Sequence, residues 1–107
     1  MGYLVQMNCK ECGYETGNLR FGATFFDRRV IGPALNEELG QIVEVDYSNI
    51  AAPVITPYSN KKLQKPGVQK STTNIYNCCD HQLQGEGNFC PSCHSYNMIV
   101  ILGGLID

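Results

Sequence analysis

The sequence predicts a mainly β protein, a small antiparallel sheet with at most one short helix and a long central loop. Three observations carry this. Eleven glycines and five prolines in 107 residues punctuate the chain with turns and leave little room for long helices. Gln41 to Tyr47, QIVEVDY, alternates apolar and polar side chains with period two, as a strand with one buried and one wet face does. Asn97 to Leu102, NMIVIL, is an apolar run of strand length, expected in the centre of the sheet because neither face is polar.

The remaining elements follow in chain order. Tyr3 to Met7 reads as a first strand running into the turn CKECG at Cys9 to Gly13. Leu19 to Phe26 is rich in aromatic and β-favouring residues and reads as its partner, with Gly22 marking a bulge or bend. Phe21, Phe25 and Phe26 are expected to pack in the sheet. Between Gly32 and Gly40, PALNEEL opens with proline, carries acids and stops at glycine, the signals of a helix of two turns at most. From Ser48 to Lys70, Pro53, Pro57, Pro66 and Gly67 interrupt any regular element, so this stretch reads as a long exposed loop. Ser71 to Tyr76 returns to strand-like sequence. Gly103 and Gly104 are expected to end the last strand.

A length of 107 residues and a hydrophobic share of 43% suit one domain, residues 1–107, near the lower end of what a hydrophobic core alone stabilises. A metal clip would add to it. A net charge of −2 gives no global field to draw the protein onto nucleic acid or an anionic membrane. Met1 to Met7 is too short and too mixed for a signal peptide, and no run approaches the length of a membrane span, so a cytoplasmic location is expected.

Six cysteines would form three disulfides in an exported protein. Their spacing argues for metal instead. Cys9 with Cys12 and Cys90 with Cys93 are two C-x-x-C pairs, each in the context of a tight turn whose two sulfurs face one ion. Cys9, Cys12, Cys90 and Cys93 together would make a tetrahedral Cys₄ site for one structural Zn²⁺. Cys78, Cys79 and His81 supply alternative ligands: Cys78 or Cys79 with His81, Cys90 and Cys93 gives a compact local site. Two metals, drawing also on His94, is the third arrangement.

In these two knuckles, CKECG after a strand and NFCPSCHS leading into a final strand, the chain resembles the zinc-ribbon class. The likeness covers the two ends and leaves roughly sixty intervening residues outside it. It implies a β-hairpin-based fold around structural zinc, and no particular activity.

Function is accordingly expected to be non-catalytic, with zinc stabilising a module that contacts another macromolecule, most simply a protein. The contact is expected from the central loop through Tyr58, Lys61, Lys62, Lys65 and Lys70. Nucleic-acid binding is the alternative, since those four lysines lie among tyrosines, although positions 71–107 hold no lysine or arginine. An enzyme is disfavoured. Neither C-x-x-C starts a convincing helix that would activate a redox thiol, and a catalytic zinc would have to use His81 with Asp80 or Glu86. A redox-labile Cys9–Cys12 pair is a further variant.

Overall fold

The computed structural model describes residues 2–23, 29–50, 53–65, 75–78 and 81–106, with the backbone path alone for 75–78 and 106. The fold is mainly β, and one 3₁₀ turn at Lys61–Leu63 is the helical element among the described residues. The strands are β1 (Gly2–Cys9), β2 (Leu19–Gly22), β3 (Ile31–Asn36), β4 (Gln41–Asp46), β5 (Ile55–Pro57), β6 (Ile75–Cys78), β7 (His81–Gln84) and β8 (Met98–Ile106). All pairings are antiparallel. The main sheet has the order β4-β3-β2-β1-β8, with β5 added to β3, while β6 and β7 form a separate hairpin.

The long pairing of β1 with β8 positions everything of functional interest. It runs from Gly2 opposite Ile106 to Cys9 opposite Met98, with a register shift where Leu4 and Val5 face Gly104 and Leu102. Period-two alternation turns Val5, Met7 and Cys9 of β1 to the buried side. Met98 and Val100 of β8 join them there. Cys9 is therefore delivered to the core face at the end of a strand whose register is fixed by the apolar side chains before it. Phe21, Leu35, Tyr47, Tyr58, Leu63, Leu83 and Cys90 complete the core.

Three expectations change. PALNEEL is no helix. Ile31 to Leu35 are buried in succession as β3, and only the following Glu37 to Gly40 make the turn, where Asn36 Oδ1 accepts from Glu38 and Leu39. Burial inside the sheet outweighs weak local helix signals. Pro33 is tolerated in this strand because its carbonyl points away from β4, accepting from the Tyr58 N–H at 3.0 Å. The missing proline N–H falls on that same side and costs no β3–β4 ladder bond.

Secondly, β8 is an edge strand, not a central one, and runs through Gly103 and Gly104 to Ile106. Ile101, Leu102 and Leu105 are exposed, Leu105 to 64%. Thirdly, Leu19–Phe26 is a strand only as far as Gly22, and positions 24–28, including Phe25 and Phe26, lie outside the described residues.

Within 48–70, described as far as Lys65 apart from positions 51–52, the chain contributes β5, the 3₁₀ turn and two core side chains, Tyr58 and Leu63. Fully buried Asn88 ties this segment to the base of β8. Its backbone pairs with Met98, its Nδ2 donates to the Gln84 carbonyl at 2.9 Å, and its Oδ1 accepts from Gln64 Nε2 at 2.8 Å. A buried amide with this many partners is satisfied, not costly.

Candidate metal centre

The two C-x-x-C turns are built alike. In the first, the Cys9 N–H donates to the Tyr14 carbonyl at 2.7 Å and the Gly13 N–H donates back to the Cys9 carbonyl at 3.2 Å. The second repeats this pair as Cys90 to Ser95 at 2.8 Å and His94 to Cys90 at 2.9 Å. Gly13 and His94 both take positive φ, 79° and 63°, which turns the chain back sharply after the second cysteine. The Glu11 N–H donates to the Cys9 sulfur at 3.4 Å.

Strand pairing then brings the knuckles together. Cys9 ends β1 and the second knuckle immediately precedes β8, so the β1–β8 ladder sets one turn against the other. Lys10 N–H donates to the Asn97 carbonyl at 3.1 Å, and Asn97 Nδ2 donates to Glu11 Oε2 at 2.7 Å. The result is a cluster in which the Sγ atoms of Cys9, Cys12, Cys90 and Cys93 all lie within 4.8 Å of one another. Cys9 to Cys93 and Cys12 to Cys90 are each 3.6 Å.

These distances are compatible with a metal site and longer than bonded disulfides allow. A bonded pair would be about 2.05 Å apart, and the four thiols are free. Zn–S bonds of about 2.3 Å in a tetrahedron put the sulfurs about 3.8 Å apart, close to the spacing here. Soft thiolate donors suit Zn²⁺, and four of them close its tetrahedral shell.

Electrostatics point the same way. Burial alone would raise the Cys9 thiol, but hydrogen bonds from the backbone of Cys12 and Glu11 and from the Cys93 and Cys12 thiols outweigh it and lower it to about 6. Burial pushes Cys90 up to about 12, and the sulfurs of Cys12 and Cys9 add to that. One thiolate forms readily and a further negative charge in the same cluster does not. Four thiolates need a cation among them.

The other residues singled out from sequence lie elsewhere or outside the described residues. His81 packs its ring against Tyr47 at 5.0 Å, with Ser59 Oγ 3.5 Å from Nδ1, and is not in the cluster. Cys78 is paired with His81 across the β6–β7 hairpin, but its side chain, like Cys79 and Asp80, lies outside the described residues. His94 is exposed and stacks on Phe89 at 5.7 Å and 9°.

Tyr58 is a core residue and not a surface contact. It is fully buried and its hydroxyl donates to the Phe89 carbonyl at 2.7 Å. Lys61, Lys62 and Lys65 are exposed, and Lys70 lies outside the described residues. Sequence reasoning missed Ser95, whose hydroxyl lies 3.1 Å from the Cys93 sulfur and 3.9 Å from that of Cys9. It also missed the Asn97–Glu11 bridge between knuckles. The Asn97–Glu11 bridge and the approach of Ser95 to Cys9 have no local signal, because each joins segments more than eighty residues apart.

Comparison of the chain with models of protein families, with curated proteins and with solved structures finds no match in any of the three.

Proposed function

We propose that this chain is a non-catalytic zinc-binding module, in which one structural Zn²⁺ held by Cys9, Cys12, Cys90 and Cys93 stabilises a surface that binds another protein. The observation that carries the metal assignment is the convergence of four sulfurs from two knuckles within 4.8 Å. Four protein ligands leave no coordination position for water or substrate, so the ion organises structure and does no chemistry. The test is metal content: purified under reducing conditions, the protein should hold one equivalent of zinc and lose its cooperative thermal transition on chelation. A folded, metal-free protein in the same buffer removes the proposal.

The binding surface is assigned to the ground beside the second knuckle. Phe89 N–H donates to the Leu63 carbonyl at 2.9 Å and Lys65 N–H to the Gly87 carbonyl at 2.8 Å, so the 3₁₀ turn with exposed Lys61 and Lys62 is tied to the segment that carries Phe89. The Phe89 ring in turn stacks on His94 and meets the Tyr96 ring edge-on, each at 5.7 Å. Substituting Lys61, Lys62 and Lys65 by glutamate should abolish capture of an acidic protein partner without unfolding the domain. Deleting 48–70 would not test this, since it removes Tyr58 and Leu63 from the core.

The neighbourhood of lysines and aromatic rings also favours a second reading, single-stranded nucleic acid, in which bases stack on the rings and phosphates meet the lysines. Binding of an oligonucleotide that weakens with salt, and is lost in the same triple variant, would select it over a protein partner.

A further inference from the structure

We propose that the four knuckle cysteines form an oxidative modification site that reacts with hydroperoxides across the two knuckles, giving Cys9–Cys93 and Cys12–Cys90 disulfides and no disulfide within either C-x-x-C. The inference rests on the tetrathiolate assignment above and adds to it how the centre responds to oxidant. Cys9 faces Cys93 and Cys12 faces Cys90, both at 3.6 Å, and these two pairs use every sulfur once. Closing either pair to the bonded distance moves each sulfur by only about 0.8 Å.

The pairs are also matched in exposure. Cys12 and Cys93 are exposed, whereas Cys9 and Cys90 are buried. Each close pair therefore joins a cysteine at the surface to one that is buried. The Ser95 hydroxyl, 3.1 Å from Cys93 Sγ and 3.9 Å from Cys9 Sγ, sits beside one of these pairs.

The chemistry balances with a hydroperoxide as the only co-reactant. The exposed thiolate attacks a peroxide oxygen; the S–O bond forms, the O–O bond breaks, and the departing hydroxide or alkoxide takes a proton. The buried thiolate across the gap then attacks the sulfenic sulfur, the S–S bond forms, and the S–O bond breaks with hydroxide leaving as water. Two cysteines lose two electrons and one peroxide gains them. Repeating the reaction at the other pair consumes all four donors and releases a bound divalent cation.

The pairing decides what happens to the fold. Disulfides within each C-x-x-C would remove the sulfur link between the knuckles, leaving the end of β1 and the start of β8 joined by their ladder and the Lys10–Asn97 and Asn97–Glu11 hydrogen bonds. Cross-knuckle disulfides link residues 84 and 78 positions apart, the same segments the metal links, and constrain the unfolded chain through long loops. Oxidation thus exchanges an ionic staple for a covalent one, with the sheet retained.

Zinc-loaded, reduced protein is treated with hydrogen peroxide, while released zinc is followed with a chromogenic chelator and the disulfides are mapped by mass spectrometry. Trypsin cuts after Lys10, placing Cys9 and Cys12 on separate peptides, and fragmentation between Cys90 and Cys93 assigns the partner. Release of one equivalent of zinc with Cys9–Cys93 and Cys12–Cys90 linkages, an unchanged far-ultraviolet spectrum, and reversal by dithiothreitol are expected. Cys9–Cys12 or Cys90–Cys93 linkages, bonds from a knuckle to Cys78 or Cys79, or thiols that survive a tenfold excess of peroxide overturn it. Reduced protein that takes up no zinc refutes the metal assignment instead, and the linkage pattern is still read in that sample.

Discussion

Gly13 and His94 hold equivalent places in the two knuckles: each follows the second cysteine, has positive φ, and donates its N–H to the carbonyl of the first cysteine. Only one of them is glycine. The left-handed conformation costs a residue with a Cβ roughly 1–2 kcal/mol, so the second knuckle carries strain that the first avoids.

A pair of substitutions tests this. A Cβ on Gly13 would meet nothing within 4 Å, so Gly13→Ala should destabilise by about 1 kcal/mol through backbone conformation alone. His94→Gly should be neutral or stabilising by up to about 1 kcal/mol, despite losing the Phe89 stack, since His94 is itself exposed. Urea midpoints of the zinc-loaded variants decide it; equal destabilisation by both would show that φ is not what distinguishes the positions.

The ligand set makes a second prediction. Cys9→Ser removes one donor from the cluster and should abolish stoichiometric zinc, with a loss of folding free energy on the order of 10 kcal/mol, as in zinc peptides. Cys78→Ser and His81→Ala should each retain one equivalent, because His81 packs on Tyr47 away from the four sulfurs. Metal content by atomic emission reads all three. Zinc retained in Cys9→Ser and lost in Cys78→Ser would move the centre to the compact C-terminal arrangement.

The knuckles were readable because their signal is local, two cysteines three apart with a tight turn after them. The strands read at Tyr3 to Met7 and Gln41 to Tyr47 are legible for the same reason, and the structure has them as Gly2–Cys9 and Gln41–Asp46. What was not readable depends on neighbours. PALNEEL carries helix-like residues, yet Pro33, Ala34 and Leu35 are needed in the sheet, and only contact with β4 and β5 shows it. NMIVIL reads as central because it is apolar on both faces, but among the described residues its far edge bonds at Met98 and Val100, to Asn88 and Gly85. Tyr58 reads as a loop aromatic in sequence, but it is fully buried and its hydroxyl donates to the Phe89 carbonyl 31 residues away.

A third prediction concerns close packing at Gly32. A Cβ there would lie 2.6 Å from Tyr47 Cζ and 2.7 Å from its hydroxyl oxygen, inside any allowed contact. Tyr47 cannot swing clear. It is buried, donates its hydroxyl to the Pro33 carbonyl, and is flanked by Phe21 at 6.3 Å and His81 at 5.0 Å. Gly32→Ala should therefore cost about 1–3 kcal/mol as overpacking does. Gly17→Ala, where the added methyl meets nothing within 4 Å, should stay within about 0.5 kcal/mol. Equal denaturation midpoints for the two variants would count against the packing described here.

The last prediction is alkaline. Burial raises Tyr47 and Tyr58 well above the ordinary value of 10.0, so both stay protonated in the fold where an unfolded chain would ionise. Below pH 10 both states bind the proton and the contribution to stability is complete. Above it the unfolded state alone releases protons, and each tyrosine removes about 1.4 kcal/mol of stability per pH unit until its folded value is reached. Tyrosinate absorbance should rise in two phases, the first reversible with the fold intact and the second coinciding with loss of circular dichroism. Tyr58→Phe should weaken the second phase while losing the hydrogen bond to Phe89, a cost of about 1 kcal/mol at neutral pH. A single transition near pH 10 in which all six tyrosines ionise without unfolding would mean that Tyr47 and Tyr58 are open to solvent, and that the core joining the central segment to the second knuckle is not packed as described.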